Sequence, residues 1–421
     1  MSFGNVPRDF SFSSIAALRS TASKSINGFF SANIRKVGAL VQYERSPDIW
    51  VTAEADTVPA TQLGDIYTLP ANINGLSLNF DGSVLAVGSL TLVAGSVLSI
   101  LTNTAGFYYQ QTIPLPPDAV GVTNGSAYLS DNGKILAFGS GTDNGGIGAV
   151  WIYADVAGVW TLQGTKITGP GEIGNGNFGQ TVSLSSDGTL LAVGSPQETP
   201  YGAAYIFNLT SLSSPIFVAR LLGSPVDVGG VFGWNVALSA DGSTLAVGAS
   251  SNLVGAGSFY VFTKVQGQGL WLQQAYLPAP SGFPSQFLGY ILSISADGNT
   301  IAASSLQNAV MYYRSGANWS AGSVLPLPYD LVGVSTQYCA FLSQDGNILC
   351  TSSQNNNNNT GGSWIFIQGP PGTWTRDGPA LIGTGAPAAP PTQQSYTVIS
   401  GNGKTAATQS YIATGYVWVF V

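Results

Sequence analysis

Short apolar runs recur along the chain, each set off by a polar Asp-Gly or Asn-Gly turn. Leu190-Leu191-Ala192-Val193 follows Ser185-Ser186-Asp187-Gly188-Thr189, and Leu245-Ala246-Val247 follows Ser239-Ala240-Asp241-Gly242-Ser243-Thr244. Weaker copies centre on Asp81-Gly82, Asn132-Gly133, Asp297-Gly298, Asp345-Gly346 and Asn402-Gly403. That makes seven copies, with turn glycines 48 to 57 residues apart. A glycine that accepts positive φ between two apolar runs predicts a β-hairpin. Successive side chains of a strand point to opposite faces, so a continuous apolar run must be covered on both. A repeat of this length predicts a stacked or radial array.

Each hairpin is followed by a third predicted strand: Gly95 to Leu101, Gly148 to Tyr153, Gly202 to Phe207, Gly257 to Phe262, Ala309 to Tyr313, Ser363 to Ile367 and Gly415 to Phe420. A fourth often opens on an aromatic residue: Phe107, Trp160, Trp271, Trp319 or Trp374. One position of the second strand is small in every copy: Ala86, Ala137, Ala192, Ala246, Ala302, Cys350 and Ala407. Small residues are expected where strands crowd near an axis. Seven units of three or four strands predict an all-β fold, a seven-bladed β-propeller whose sheets stack face to face.

Phe178-Gly179-Gln180-Thr181-Val182-Ser183-Leu184, then Leu191 to Pro196, then Gly202 to Phe207, resembles the FG-GAP repeat of integrin α-subunit propellers. Phe232-Gly233 through Ala249, then Gly257 to Phe262, is a second copy. The resemblance spans roughly residues 75–421 and implies a seven-bladed propeller. It does not carry calcium across. Calcium-binding repeats of that kind alternate several Asp or Asn oxygens in one loop, whereas Ser185-Ser186-Asp187-Gly188 has a single Asp against the six to eight oxygens required.

Ahead of the repeats, residues 1–37 form a basic, Ser-rich arm. Ile15, Leu18, Ala22 and Ile26 fall at helical spacing, Gly28 suits a C-cap, and Phe29-Phe30 follows. Three roles are open to the arm: docking on a partner, packing on its own propeller, or an organelle address. Residues 38–421 are assigned to the propeller. Gly38 to Tyr43 resembles a third strand and Asp48 to Ala53 a fourth. The Trp50 strand is therefore expected to complete the last blade and so close the ring, leaving the 38–43 strand surplus.

Charged residues make up only 8% of the 421, against roughly a quarter in ordinary domains. Net charge is −7 and unevenly spread. Residues 1–36 carry Arg8, Arg19, Lys24, Arg35 and Lys36 against Asp9, a net +4; the rest carries 8 basic and 19 acidic residues, a net −11. This asymmetry predicts a separate partner for the arm, and an acidic body does not suit nucleic acid. No secretory signal and no apolar run long enough to span a membrane is visible. Cys339 and Cys350 lie on the two strands of the sixth hairpin, either as small buried residues or as a cross-strand disulfide.

Histidine is absent, which removes His-dependent nucleophile, acid–base and metal chemistry. Two cysteines cannot build a zinc site of four thiolates, and no phosphate-binding Gly-rich loop is present. No cofactor and no metal are expected. The longer loops, between second and third strands and after fourth strands, should share one face, with Asp143, Asn144, Tyr201, Asn252 and Asn355, Asn356, Asn357, Asn358 and Asn359 as candidate binding residues. Arg8, Ile15, Leu18, Arg19, Lys24, Ile26, Phe29, Phe30, Arg35 and Lys36 are the candidate docking residues. The expectation is a non-enzymatic structural or interaction protein. It would be a rigid propeller anchored through its arm to other proteins of a larger assembly, such as a virion or other particle. The alternative is an adhesion or glycan-binding module using the loop face. A hydrolase built on two carboxylates stands third.

Overall fold

The computed structural model describes residues 34–37, 40–46, 49–53, 58–63, 67–69, 72–90, 97–104, 107–123, 125–225, 231–250, 255–280, 287–305, 308–326, 338–353, 361–370, 372–384, 394–410 and 415–421. Contacts divide the chain into two units, residues 1–57 with 368–373 and residues 58–367 with 374–421. In the smaller unit, Ile34–Val37, Leu40–Ser46 and Ile49–Ala53 form a three-stranded antiparallel sheet.

In the larger unit seven four-stranded sheets form a β-propeller. Each blade runs outward from its first strand. In blades 1 to 7 the first strands are Asn72–Leu78, Ser126–Leu129, Thr181–Leu184, Phe232–Leu238, Leu292–Ile294, Tyr338–Leu342 and Gln394–Ile399. The third and fourth strands fall where the apolar pattern places them. The recurrent small position is fully buried in all seven copies. It lies on the second strand, one place out from the axis, so it relieves crowding between neighbouring blades rather than lining the axis.

The Ser-x-Asp-Gly turns explain themselves locally. In blade 3 the Ser185 hydroxyl accepts the Leu190 N–H at 3.0 Å and donates to Asp187 Oδ1 at 2.7 Å. Asp187 Oδ1 also accepts the Thr189 N–H at 2.9 Å. Gly188, at φ +72°, supplies the reversal. Ser239–Asp241, Ser295–Asp297 and Ser343–Asp345 repeat the hydroxyl-to-carboxylate bond, and Asn402 stands in for Asp beside Ser400. The turns also join one another from blade to blade. Main-chain N–H groups of Phe80, Asp131 and Ser186 donate to carbonyls of Asp131, Ser186 and Ala240, and those of Ala296, Gln344 and Asn402 to carbonyls of Gln344, Gly401 and Phe80. The result is a belt of main-chain hydrogen bonds at the turn end of the axis.

Blades 2 to 5 interlock through glycine. Gly202 opens the third strand of blade 3 at φ +88° and bridges to Phe232 at the start of blade 4; a Cβ there would lie 2.0 Å from the Phe232 carbonyl oxygen. Gly194, on the neighbouring strand, faces the Gly233 carbonyl just as closely, at 2.1 Å. The same contacts recur between Gly148 and Phe178 and between Gly257 and Leu288. Phe178 and Phe232 are buried against Tyr205 and Phe207, and against Tyr260 and Phe262, with ring centroids 5.2 and 6.0 Å apart in each case. A third unit, with Leu288-Gly289 in place of Phe-Gly, is built the same way and escapes notice in sequence because its aromatic is missing.

The ring closes differently from expectation. The last blade is completed by Tyr67–Leu69, paired with Gly415–Phe420 in the register Gly415↔Leu69 and Val417↔Tyr67, not by the Trp50 strand. Residues 60–63 extend the join through main-chain bonds to Val419 and Val421. The Trp50 strand instead pairs with Leu40–Ser46 across a two-residue connection. Local pairing costs little loop closure, and Tyr67–Leu69 lies directly ahead of blade 1. Cys339 faces Ser352 and Cys350 faces Phe341. The two cysteines are diagonal rather than opposed, and both are buried and not joined in a disulfide.

Candidate functional site

Two places in the propeller gather polar chemistry. One is the axial channel, a cavity of about 460 Å³ lined by the first strands and the belt turns. First strands run from the long-loop end to the turn end, so Gln180, Trp234 and Tyr290 stand toward the loop end and Asp131, Ser186 and Gln344 at the belt. Trp234 and Tyr290 stack at 5.6 Å with 36° between planes. Phe341 and Tyr396 meet edge to face at 5.2 Å. Blades 1 to 3 contribute Ser126 and Gln180 beside Leu76, Tyr128 and Val182, and blades 5 to 7 contribute Ile291, Phe341 and Tyr396 beside Ser293 and Gln344. Thr181 Oγ1 is buried without a hydrogen-bond partner. Burial pushes the Tyr128 and Tyr396 phenols above their ordinary range, so both are neutral hydroxyls near neutral pH. Among the described residues, Asp131 is the only ionisable carboxyl on the lining.

The other place is the long-loop face of blades 2 and 3, where the same device occurs twice. In blade 2, Asp143 is fully buried, accepts the Val120 N–H at 2.7 Å and pairs with Lys166 at 2.7 Å. Lys166 also donates to the Asp118 carbonyl, and Asp118 accepts the Trp151 indole N–H. In blade 3, Glu198 takes the place of Asp143, three residues past the serine that ends the second strand. Arg220 takes the place of Lys166, bonding Glu198 Oε1 through Nε at 2.9 Å and Nη2 at 2.5 Å. Tyr205 donates to Glu198 Oε2 at 2.7 Å. Both pairs tie a loop between second and third strands to its own blade's fourth strand.

Blade 3 has one further acid. Glu172, half-buried in the connection that leads into the blade, accepts the Ser195 hydroxyl at 3.0 Å. Burial, with the charge of Glu198 behind it, pushes the Glu172 carboxyl up to about 7 despite the Ser195 bond. Glu172 can hold or release a proton near neutrality, and it is the titratable group on the described surface best suited to acid–base work.

No family model matches the chain, and no curated protein is recognisably similar to it in sequence. Solved structures share its fold. A periplasmic gluconolactonase of Pseudomonas aeruginosa, PpgL, superposes with a TM-score of 0.53 at 15% identity, covering 82% of this chain and 92% of that one. The β-propeller domain of Cps50 (Swd1) from Myceliophteria thermophila superposes with a TM-score of 0.58 at 11% identity, covering 84% and 98%. At these identities the likeness establishes the propeller and nothing finer.

Of the residues singled out in sequence, Asp143 is spent inside the protein on Lys166 and cannot reach a partner, because both carboxylate oxygens are engaged. Asn144 and Tyr201 are exposed on the loop face. Asn252, Asn355, Asn356, Asn357, Asn358 and Asn359 lie outside the described residues, as do Arg8, Ile15, Leu18, Arg19, Lys24, Ile26, Phe29 and Phe30. Arg35 and Lys36 sit on the Ile34–Val37 strand, opposite Gln42 and Val41. Among the described residues no three His, Cys, Asp or Glu side chains converge as a metal site would require. Sequence reasoning missed the channel lining and Glu172. No local motif marks Glu172, which is one of only four glutamates in the chain.

Proposed function

We propose that the protein is a non-enzymatic interaction platform, a rigid propeller held in a larger assembly, such as a virion or other particle, by its basic N-terminal arm. The observation that carries this reading is where the charges go. The turn acids cap their own hairpins, and Asp143 and Glu198 anchor loops through Lys166 and Arg220. A body of net −11 is thus preoccupied with its own architecture, while the +4 arm stays apart in charge. Low overall charge suits a subunit surrounded by others. The interlocked glycines of blades 2 to 5 support kinship with the FG-GAP repeat, whose propellers work by binding. The test is sedimentation of extracts from the native source carrying either the full chain or residues 38–421. The full chain is expected in a high-mass fraction and the truncated one in the soluble pool. A full chain migrating as a 43.4 kDa monomer, or a truncation that still sediments, overturns the reading.

One observation favours a second reading. Glu172 and Glu198 are two carboxyl groups of the loop end of blade 3, Glu172 with its pKa pushed up to about 7 and Glu198 bonded to Arg220, and a structural neighbour is a gluconolactonase. If the purified chain opens aldonolactones and Glu172→Gln abolishes turnover, hydrolysis replaces the platform reading.

A further inference from the structure

We propose that the axial channel is a binding site for a neutral sugar ring, which enters from the long-loop end and stacks on Trp234 and Tyr290. The lining decides the class of ligand by what each alternative would leave unsatisfied. Among the described residues of the lining an anion would meet no lysine or arginine, and the body is net −11. A cation would have to shed its water between walls whose one carboxyl, Asp131, sits at the belt end, and transfer of an uncompensated charge is costly. A wholly apolar ligand would strip water from Gln180 and Ser126 without replacing its hydrogen bonds. What remains is a neutral molecule with an apolar face and a polar rim.

The lining carries both kinds of group. Aromatic rings from blades 4 to 7 offer faces for the C–H side of a pyranose, with Trp234 and Tyr290 tilted 36° to each other toward the loop end. Ser126 and Gln180, from blades 2 and 3, supply a hydroxyl and an amide to the same lining. The raised phenols of Tyr128 and Tyr396 remain donors well above neutral pH. A volume of about 460 Å³ falls inside the range of roughly 300–1,000 Å³ typical of small-ligand sites. The belt of turn-to-turn bonds ties the blades together at the far end. The site asks for no assembly partner and stands whether or not the arm docks.

The test uses the full chain and saturation-transfer NMR with methyl glycosides of glucose, galactose and mannose and with N-acetylglucosamine, choline serving as the charged comparator. At least one sugar is expected to bind saturably, with affinity unchanged between low and high salt. Trp234→Ala should weaken it about tenfold, the loss of about 1.4 kcal/mol of stacking. Leu272→Ala, exposed on the outer strand Trp271–Pro278 and absent from the channel lining, should leave it unchanged. If Trp234→Ala does not fold, Trp234→Phe and Gln180→Ala take its place; the first should retain most of the binding and the second lose it. Absence of binding by every sugar overturns the proposal. So does binding of choline in their stead, or sugar binding indifferent to both Trp234 and Gln180.

Discussion

Single positions carry much of this fold, and their substitutions separate strain from collision. Gly158 and Gly202 share nearly the same φ, +86° and +88°, but a Cβ on Gly158 meets nothing within 4 Å and one on Gly202 meets the Phe232 carbonyl. Gly158→Ala should therefore cost about 1 kcal/mol of backbone strain, whereas Gly202→Ala should cost more than about 4 kcal/mol because two blades must part; urea denaturation of both variants measures the difference. Titration at Glu172 runs against the usual carboxylate sense. Its folded pKa of about 7 exceeds the ordinary 4.5, so the folded chain holds this proton while the unfolded chain releases it. Stability on this account falls as pH rises from 4.5 to 7, and Glu172→Gln should remove that slope from melting temperatures measured across the window. Asp81, Asp187 and Asp241 have the opposite sense. Partial burial opposes their charge, but hydrogen bonds from turn hydroxyls and N–H groups outweigh it and lower their pKa values. Their contribution is lost as pH falls below the ordinary 3.8 through the folded values.

At the scale of the element, the loop anchors predict strong coupling. Glu198 is buried and Arg220 partly exposed, so Arg220→Met should be the more damaging single change, by about 3–5 kcal/mol, since it strands a buried carboxylate. Pairing it with Glu198→Gln should restore much of the loss, a coupling that a double-mutant cycle reads directly. Strands and hairpins were legible in the sequence because their causes are local. An apolar run, a serine that caps, an aspartate that bridges and a glycine that reverses the chain all lie within six residues, as Ser185 to Leu190 shows. Closure was not legible. Tyr67–Leu69 and Trp50 both precede blade 1 in apolar surroundings, and the choice between them rests on pairing with Val417, some 350 residues away. The channel was hidden for a related reason. Corresponding first-strand positions hold Gly75, Ser126, Thr181, Asn235, Ile291, Cys339 and Tyr396. A set so unlike carries no repeat signal, and its chemistry exists only once the seven strands surround one axis.

For the whole molecule, rigidity is the property that both functional readings need. Seven sheets are joined at the turn end by main-chain bonds, at blades 2 to 5 by glycine contacts, and at the seam by Tyr67–Leu69. Replacing residues 67–69 by Gly-Pro-Gly should unzip the last blade's outer edge, lower the melting temperature and broaden the transition, as calorimetry would record. A scaffold of this kind gains little by moving and much by presenting fixed surfaces. The most direct test of the platform account is hydrogen–deuterium exchange of the chain within its native-source assembly and after release from it. The account predicts new protection across residues 1–33 in the assembly, with the belt amides of Asp131, Ser186 and Gln344 equally slow in both states. An arm that exchanges as fast inside the assembly as outside it would contradict the account.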